Sequence, residues 1–314
     1  MLKENDAVGN TDTSWSADLP KSNYIKAIYI RFRGVNGSSM TEALMQAMVC
    51  RVKVESDGGG VIKYLDAQQV RDISQLRNSV RPDLSDIDNG VRGMSLPLYF
   101  TRYEGDETCL LPSMLFRTLK LDLTLSGGQG AAANTSFDAD GVKVDVTLDE
   151  LEAGNDDEKT IKGHYILKES ERESKATSTT HDFNLPLGNL LRGVLIEASA
   201  FGIETSMRDK YYCTLNNGAK IPYTDTWQQE LGINQQQWKI VGFGLEGCAT
   251  YGGANEYGAS ESIYTYQRIF MWFDEGNNMQ HCIDTALYND VHIKGDLQAT
   301  ETVTLTTLEA VRLA

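Results

Sequence analysis

The feature that most constrains the fold is that the chain carries the same succession of patterns twice. Each half begins with a Leu-Pro pair, Leu19-Pro20 and Leu185-Pro186, followed by a segment in which apolar and polar residues alternate. The first of these apolar positions, Ile28 and Val194, lies eight residues after each proline, and two more follow at intervals of two residues. A period of two is typical of a strand with one buried and one exposed face. We therefore predict strands over residues 24–33 and 190–199.

Each half next contains two short strand-like segments separated by a glycine turn. The turns are Asp57-Gly58 and Asn217-Gly218, and such pairs supply the positive φ angles that tight hairpins need. The flanking segments are residues 49–55 with 61–64, and 210–215 with 220–223. The pattern predicts one β-hairpin in each half.

An Asp-x-x-Gln pattern follows each hairpin, at Asp66 with Gln69 and at Asp225 with Gln228. An aspartate N-cap with a glutamine three residues later resembles a capping box. Apolar residues at helical spacing come next: Val70, Ile73 and Leu76 in the first half, Trp227 and Leu231 in the second. We predict one short helix in each half.

The rest of each half is again rich in strand patterns. An apolar strand ends in an acidic glycine turn, Glu104-Gly105 or Glu275-Gly276, and a segment containing Cys109 or Cys282 follows. Alternating strands are predicted over 119–125 and 291–297, and closing strands over 142–148 and 303–308. Many short antiparallel strands with glycine turns indicate a sandwich. Eight strands in two Greek keys make a jelly roll, so we predict an all-β chain of two tandem eight-stranded jelly rolls, each with a short helix.

Composition divides the chain into four parts. We predict an N-terminal arm over residues 1–17, a first jelly roll over 18–158, a linker over 159–182 and a second jelly roll over 183–314. The linker is polar and holds one interrupted strand over 161–167. A long segment over 232–266 is rich in Gly, Asn and Tyr, which is typical of recognition loops. We interpret it as an exposed tower or a contact between subunits.

Charge and hydropathy argue against several classes of protein. The 314 residues carry a formal net charge of −15, so the chain repels phosphate backbones and direct nucleic-acid binding is not expected. Mean hydropathy is −0.35, and no apolar run approaches the roughly 18 residues of a membrane span. The polar N-terminus does not resemble a secretory signal. We therefore interpret the five cysteines as reduced thiols of a cytoplasmic product.

Several motifs resemble catalytic or metal sites, and we predict that none of them is one. Residues 242–247 spell G-x-G-x-x-G, but no helix pattern follows. The histidines, His164, His181, His281 and His292, lack the spacing of metal ligands. Acidic loops at residues 83–90 and 138–141 do not complete a calcium loop, which leaves calcium at a subunit interface as a minor alternative. With no nucleophile motif either, we predict no enzyme, no catalytic residue and no cofactor.

Two jelly rolls in tandem, each with a helix after its fourth strand, resemble the major capsid proteins of the adenovirus–tectivirus lineage. The likeness is strongest to the small, corticovirus-like coat proteins of tailless, membrane-containing icosahedral phages. It spans roughly residues 15–313. The motifs that carry it are Leu19-Pro20 with residues 24–34, Leu185-Pro186 with residues 190–200, the two hairpin turns and Glu275-Gly276.

The resemblance implies how such a protein acts. Three chains would form a pseudo-hexagonal trimer, and trimers would tile an icosahedral shell around an internal membrane. Further partners would be neighbouring capsomers, penton and minor capsid proteins, and the membrane at one end. The arm over residues 1–17 would order against a neighbour or the membrane. The protein would be made in the host cytoplasm and reside in the virion.

The residues leave two other functions open. One is a carbohydrate-binding or adhesin-like β-sandwich module, with exposed Tyr and Trp as a sugar platform. Trp227 and Trp272 weigh against it, because both lie in patterned elements that predict burial. The other is an enzyme on a double jelly roll, such as a glycoamidase or glycosidase, which needs a polar cleft for which the sequence names no pair of residues.

Overall fold

The computed structural model describes residues 2–8, 14–35, 49–78, 84–87, 91–125, 142–153, 163–198, 210–226, 229, 233 and 268–313. The chain divides into two units. Unit 1 comprises residues 1–168 and 312–314, and unit 2 comprises residues 169–311. In the described residues, no helix is long and apolar enough to cross a membrane.

Unit 1 is a sandwich of two antiparallel sheets. Its elements are β1 Lys3–Val8, β2 Ser14–Asp18, β3 Tyr24–Val35, β4 Val49–Ser56, β5 Gly60–Leu65, α1 Ala67–Asn78, β6 Leu84–Ile87, β7 Val91–Tyr99, β8 Leu111–Pro112, β9 Leu119–Leu125 and β10 Val142–Leu151. One sheet has the order β1-β10-β3-β7-β6, with β8 beside β3, and the other contains β5-β4-β9-β2. Strands distant in sequence are neighbours, as in the Greek keys of a jelly roll.

The core of unit 1 follows the predicted alternation. In β3, Ile28, Ile30 and Phe32 are buried, whereas Tyr29 and Arg31 between them are exposed. The leucines of β9 are likewise buried at alternate positions. The strand predictions over residues 24–33 and 119–125 are therefore confirmed.

Unit 2 repeats this arrangement with two very long strands. Its elements are β11 Tyr165–Asn184, which starts in unit 1, β12 Leu190–Ala198, β13 Lys210–Leu215, β14 Lys220–Thr226, β15 Arg268–Trp272, β16 Ile283–Asp284 and β17 Val291–Arg312. The first part of β17 pairs with β13 and its last part pairs with β12. Strand β12 also pairs with β15 and β16, and β11 lies beside β17.

The pairing confirms the duplication and the predicted fold class. The order β10-β3-β7 in unit 1 corresponds to β17-β12-β15 in unit 2, and β9-β4-β5 corresponds to β17-β13-β14. The strand leading into each Leu-Pro pair is also placed alike. The backbone N–H of Leu19 donates to the Leu119 carbonyl at 2.9 Å, and that of Leu185 to the Val291 carbonyl at 2.8 Å. The two predicted strands at 291–297 and 303–308 are one continuous strand, β17.

The predicted arm and linker differ from the observed elements. Residues 3–8 and 14–18 form β1 and β2, which pair with β10 and β9 of the same chain. Residues 165–184, predicted as linker up to residue 182, form β11. Backbone pairing does not need apolar side chains, so the polar composition of these segments hid three strands. Both jelly rolls therefore begin two strands earlier than the Leu-Pro pairs suggest, and the exact domain limits stay a prediction.

One strand of the second half departs from the predicted burial. Val194 and Ile196 of β12 belong to the core of unit 2, as expected. Leu195, predicted on the exposed face, is fully buried, and the neighbouring Arg192 is buried as well. Strand β12 is thus covered on both faces, which explains why its sequence is a nearly continuous apolar run.

The hairpin turns and the first helix start are confirmed. Positive φ angles occur at Gly59 in the first turn and at Asn216, Asn217 and Gly218 in the second. At α1, Asp66 Oδ1 accepts from the Gln69 N–H at 2.7 Å, and Gln69 Oε1 accepts from the Asp66 N–H at 3.0 Å. These reciprocal bonds make a capping box.

The second capping box lies one residue later than predicted. Thr226, rather than Asp225, is the capping residue: its N–H donates to Gln229 Oε1 at 3.1 Å, and its hydroxyl accepts from the Gln229 N–H at 3.3 Å. Threonine caps through its hydroxyl as aspartate does through its carboxylate. Trp227, Gln228 and Leu231, on which the helix prediction rested, lie outside the described residues.

Candidate assembly surfaces

In unit 1, a carboxylate joins the β4–β5 turn to the segment before β9. The Asp57 carboxylate accepts from the backbone N–H groups of Arg117, at 2.7 Å, and Thr118. Hydrogen bonds from these two backbone groups hold the pKa of Asp57 below its usual value. Lys21, directly after the Leu-Pro pair, donates to the Arg117 carbonyl at 2.9 Å. The turn, the Leu-Pro loop and the segment before β9 thus form one end of the unit, named here the turn end.

Unit 2 makes the same joint from the opposite side. Here the carboxylate belongs to Asp290, just before β17, and accepts from the Asn217 N–H of the hairpin turn at 2.8 and 3.0 Å. In return, Asn216 Oδ1 accepts from the Asn289 N–H at 2.9 Å. The two turn ends therefore have the same construction with the acid placed on different segments.

Each turn end presents an exposed leucine at an equivalent position. Short 3-10 turns follow β8 and β16, at Ser113–Leu115 and Thr285–Leu287. Their last residues, Leu115 and Leu287, are 64% and 74% exposed. In unit 2, Leu187 of the Leu-Pro loop is 45% exposed, and the loop is tied to the 3-10 turn because the Thr285 hydroxyl donates to the Asn189 carbonyl at 2.7 Å. Clustered exposed apolar side chains are typical of interaction surfaces.

A second exposed patch lies on unit 1 where α1 meets the end of β7. The Arg77 guanidinium lies 3.9 Å from the centre of the Tyr99 ring, and the Asn78 amide donates to the Tyr99 hydroxyl at 3.0 Å. The exposed ring of Tyr29 contacts Tyr99 edge-on, with centroids 6.1 Å apart. Tyrosine and arginine are enriched at protein interfaces.

Buried ion pairs hold the loops after β7 and β15. Arg102 and Asp106 form a two-pronged pair with both contacts at 2.9 Å, and Arg192 lies 2.9 Å from Asp274. Burial alone would raise the pKa of Asp106, but hydrogen bonds from Arg102 and the backbone hold that pKa below its usual value. Trp272, predicted to be buried, is buried, and its indole donates to the Asp274 carbonyl at 2.8 Å. Trp272 is therefore not available as a sugar platform.

The structure does not bring the histidines together. His181 is buried and stacked on Phe183, and His292 Nδ1 lies 2.5 Å from an Asp182 carboxylate oxygen. His164 and His281 are exposed. Over the described part of the chain, no three His, Cys, Asp or Glu side chains are grouped to hold a metal ion.

Other predicted features lie partly or wholly outside the described residues. These are residues 242–247, the acidic positions 83, 88, 138 and 140, and all of the 232–266 segment except Ile233. Asp86 lies in β6. Cys109, Cys213 and Cys282 are free thiols, and burial raises the pKa of Cys213 to about 12. Cys109 and Cys213 are buried, as predicted for small apolar residues.

The sequence analysis missed the turn ends as functional candidates. Leu115 and Leu287 read as core residues, because an isolated leucine in an apolar segment is more often buried than exposed. A signal was present in the duplication: each leucine is the last residue of the short segment Leu111–Leu115 or Ile283–Leu287 that follows the cysteine. Comparing equivalent positions of the two halves would have identified the pair.

Known proteins resemble this chain in structure and not in sequence. No family model and no curated protein sequence matches it. The MCP of STIV, the Sulfolobus turreted icosahedral virus, matches with a TM-score of 0.68 at 10% identity, over 96% of this chain and 92% of that one. The major capsid protein P2 from bacteriophage PM2 matches with a TM-score of 0.61 at 13% identity, over 98% and 94%.

The PBCV-1 virus capsid gives a TM-score of 0.57 at 13% identity, over 98% of this chain and 91% of the matched chain. All three matches extend over both units and nearly the full length of each protein. The chain therefore has the double jelly-roll fold of these capsid proteins, as the sequence predicted.

Proposed function

We propose that the chain is a major capsid protein that self-assembles into the shell of an icosahedral virus. The observation that carries the proposal is the match of both units, over nearly the whole chain, to proteins described as MCP, major capsid protein and virus capsid. Fold alone does not define function. A full-length match to three capsid proteins nevertheless favours assembly over a catalytic or carbohydrate-binding role.

The proposed building block is a homotrimer with pseudo-hexagonal outline. Three copies of two similar units supply six similar modules, which a closed three-fold ring can arrange around one axis. Lateral contacts with other capsomers, and contacts with penton and minor capsid proteins, would complete the shell. A net charge of −15 disfavours direct contact with the packaged nucleic acid.

The proposed orientation directs the turn ends toward an internal membrane. Leu115 and Leu287 give both turn ends an exposed apolar side chain, and Leu187 adds a third. Leucines on a surface favour the boundary between lipid headgroups and acyl chains. The loops of the opposite ends, including the 232–266 segment, would then face outward. We propose that the protein resides in the virion after synthesis in the host cytoplasm.

Light scattering coupled to size-exclusion chromatography tests the proposal. The chain has a mass of 34.8 kDa. A trimer would have a mass of about 104 kDa, and closed three-fold assemblies are less common than dimers, so this mass would discriminate well. Adding and chelating calcium in the same experiment tests whether the cation acts at subunit contacts. A stable monomer at high concentration, with or without calcium, would favour the carbohydrate-binding module, which a glycan-binding assay would then examine.

A further inference from the structure

The two units cover one equivalent strand to very different extents. Strands β5 and β14 are each the second strand of the hairpin and each run into a capping box. In β5, Ile62, Lys63 and Leu65 are buried within the single chain. In β14, Ile221 is 56% exposed, and no residue of the strand is buried.

The strand registers make this comparison residue by residue. Lys63 pairs with Val54 in unit 1, and Tyr223 pairs with Cys213 at the equivalent place in unit 2. Lys63 is fully buried, whereas Tyr223 is only half-buried. The same contrast holds for Leu65, which is buried, and its counterpart Asp225, which is half-buried.

The contrast continues into the helix start. Gln69 and Gln229 have the same role, each returning a hydrogen bond to its capping residue. Gln69 is fully buried, whereas Gln229 is exposed. Strand β14 together with Gln229 is named here the β14 surface.

The chemistry of the β14 surface fits a protein partner of acidic character. In the described residues β14 is the terminal strand of its sheet, and Pro222 lacks the N–H that a continuous strand ladder would use. Contact would therefore be made through side chains, with Ile221 and Tyr223 as the apolar part. Lys210 and Lys220 are exposed on the same hairpin, and they would attract a partner with the net charge of −15 that this chain has.

We propose that the β14 surface binds a second copy of this chain in a head-to-tail contact. A surface that the first half covers within the chain is left open in the second half, and a neighbouring copy supplies the missing cover. Repetition of one head-to-tail contact closes a ring, and three copies of a two-unit chain complete six equivalent positions. The inference rests on the proposed trimer and goes beyond it by naming the surface that holds the trimer together.

The first test is the variant Ile221→Glu, which places a charge at the centre of the β14 surface. We expect its trimer to dissociate with a dissociation constant at least about tenfold higher than that of the wild type, because a buried unpaired charge is costly. The matched control is Leu287→Glu, an equally exposed apolar residue on the turn end, which should leave the mass unchanged. Both variants are compared by light scattering over a dilution series after their unfolding midpoints are shown to agree with that of the wild type.

A photo-crosslinking residue at position 221 gives a readout independent of stability. We expect a covalent product between two chains after irradiation, with none from the same residue at position 287. A wild-type trimer that Ile221→Glu does not weaken, or that yields no crosslink from position 221, would overturn this inference and leave the proposed capsid function standing. A wild-type chain that stays monomeric would overturn both.

Discussion

Replacement of Asp106 by asparagine should destabilise unit 1 by removing one charge from a buried ion pair. The Asp106 carboxylate accepts from Arg102 Nε and Nη2 at 2.9 Å, and from the backbone N–H groups of Arg102 and Thr108 at 3.0 and 2.9 Å. The side chain of Asp106 has no exposed area, and that of Arg102 is 6% exposed. Loss of one partner of such a pair costs about 3–5 kcal/mol, since the other charge stays buried.

That loss is a large part of a typical unfolding free energy of about 5–15 kcal/mol. Urea unfolding followed by tryptophan fluorescence measures it. With a slope of about 3 kcal/mol per molar urea, the midpoint should fall by about 1–1.7 M. Asp18→Asn is the matched control, because Asp18 is exposed and its replacement should change stability by no more than about 0.5 kcal/mol.

The pH dependence gives the same pair a second signature. The pKa of Asp106 is held below its usual value in the folded state. The unfolded chain therefore binds this proton more readily than the folded chain. The stabilisation from Asp106 is fully present above the unfolded pKa of about 3.9 and is lost as the pH falls through the folded value. The difference in stability between wild type and Asp106→Asn should accordingly shrink below about pH 4.

A double variant separates the pair from its surroundings. Arg102→Met with Asp106→Leu removes both charges, and apolar replacement of a buried pair is often close to neutral. We expect the double variant to be more stable than Asp106→Asn alone. An Asp106→Asn protein within about 1 kcal/mol of the wild type at pH 7, or a double variant as unstable as the sum of its single changes, would refute the reasoning.

Three further outcomes are expected. Asp66→Ala removes the N-cap of α1 and should cost about 0.5–2 kcal/mol in urea unfolding, and no change would show that the cap is dispensable. Gly193→Ala should destabilise unit 2 by about 1–3 kcal/mol, because the new Cβ would lie 2.6 Å from the Trp272 ring; a neutral result would mean that the ring moves aside. Iodoacetamide should label Cys282 before Cys213 in the folded protein, because burial raises the pKa of Cys213 to about 12; mass spectrometry showing the reverse order would contradict this.

The fold could be predicted because its signal lies in short-range patterns. Ile28, Ile30 and Phe32 alternate in β3, and Asp66 with Gln69 marks the start of α1, so local sequence was sufficient for both. Strand β11 was missed because charged residues at 169–173 and a run of threonines hide its alternation. Its pairing with β17 involves residues more than a hundred positions away, which no local pattern reveals.

The candidate surfaces were harder to predict than the fold. The Asp57 and Asp290 joints depend on loops brought together by the folded sandwich. The exposure of Ile221 is a tertiary property, since an apolar residue in a strand pattern predicts burial. Only the comparison of equivalent positions in the two folded halves distinguishes the open strand from the covered one.

The single strand β17 also sets how unit 2 can come apart. One stretch of backbone, from Val291 to Arg312, pairs with β13 in its first part and with β12 in its last part. In unit 1 those roles fall to two strands, β9 and β10, separated in the chain by residues 126–141. Fraying of one β17 pairing therefore loosens the backbone of the other, so amide protons of β12 and β13 should exchange with solvent at a common rate. The corresponding strands of unit 1, β3 and β4, are free to open one at a time.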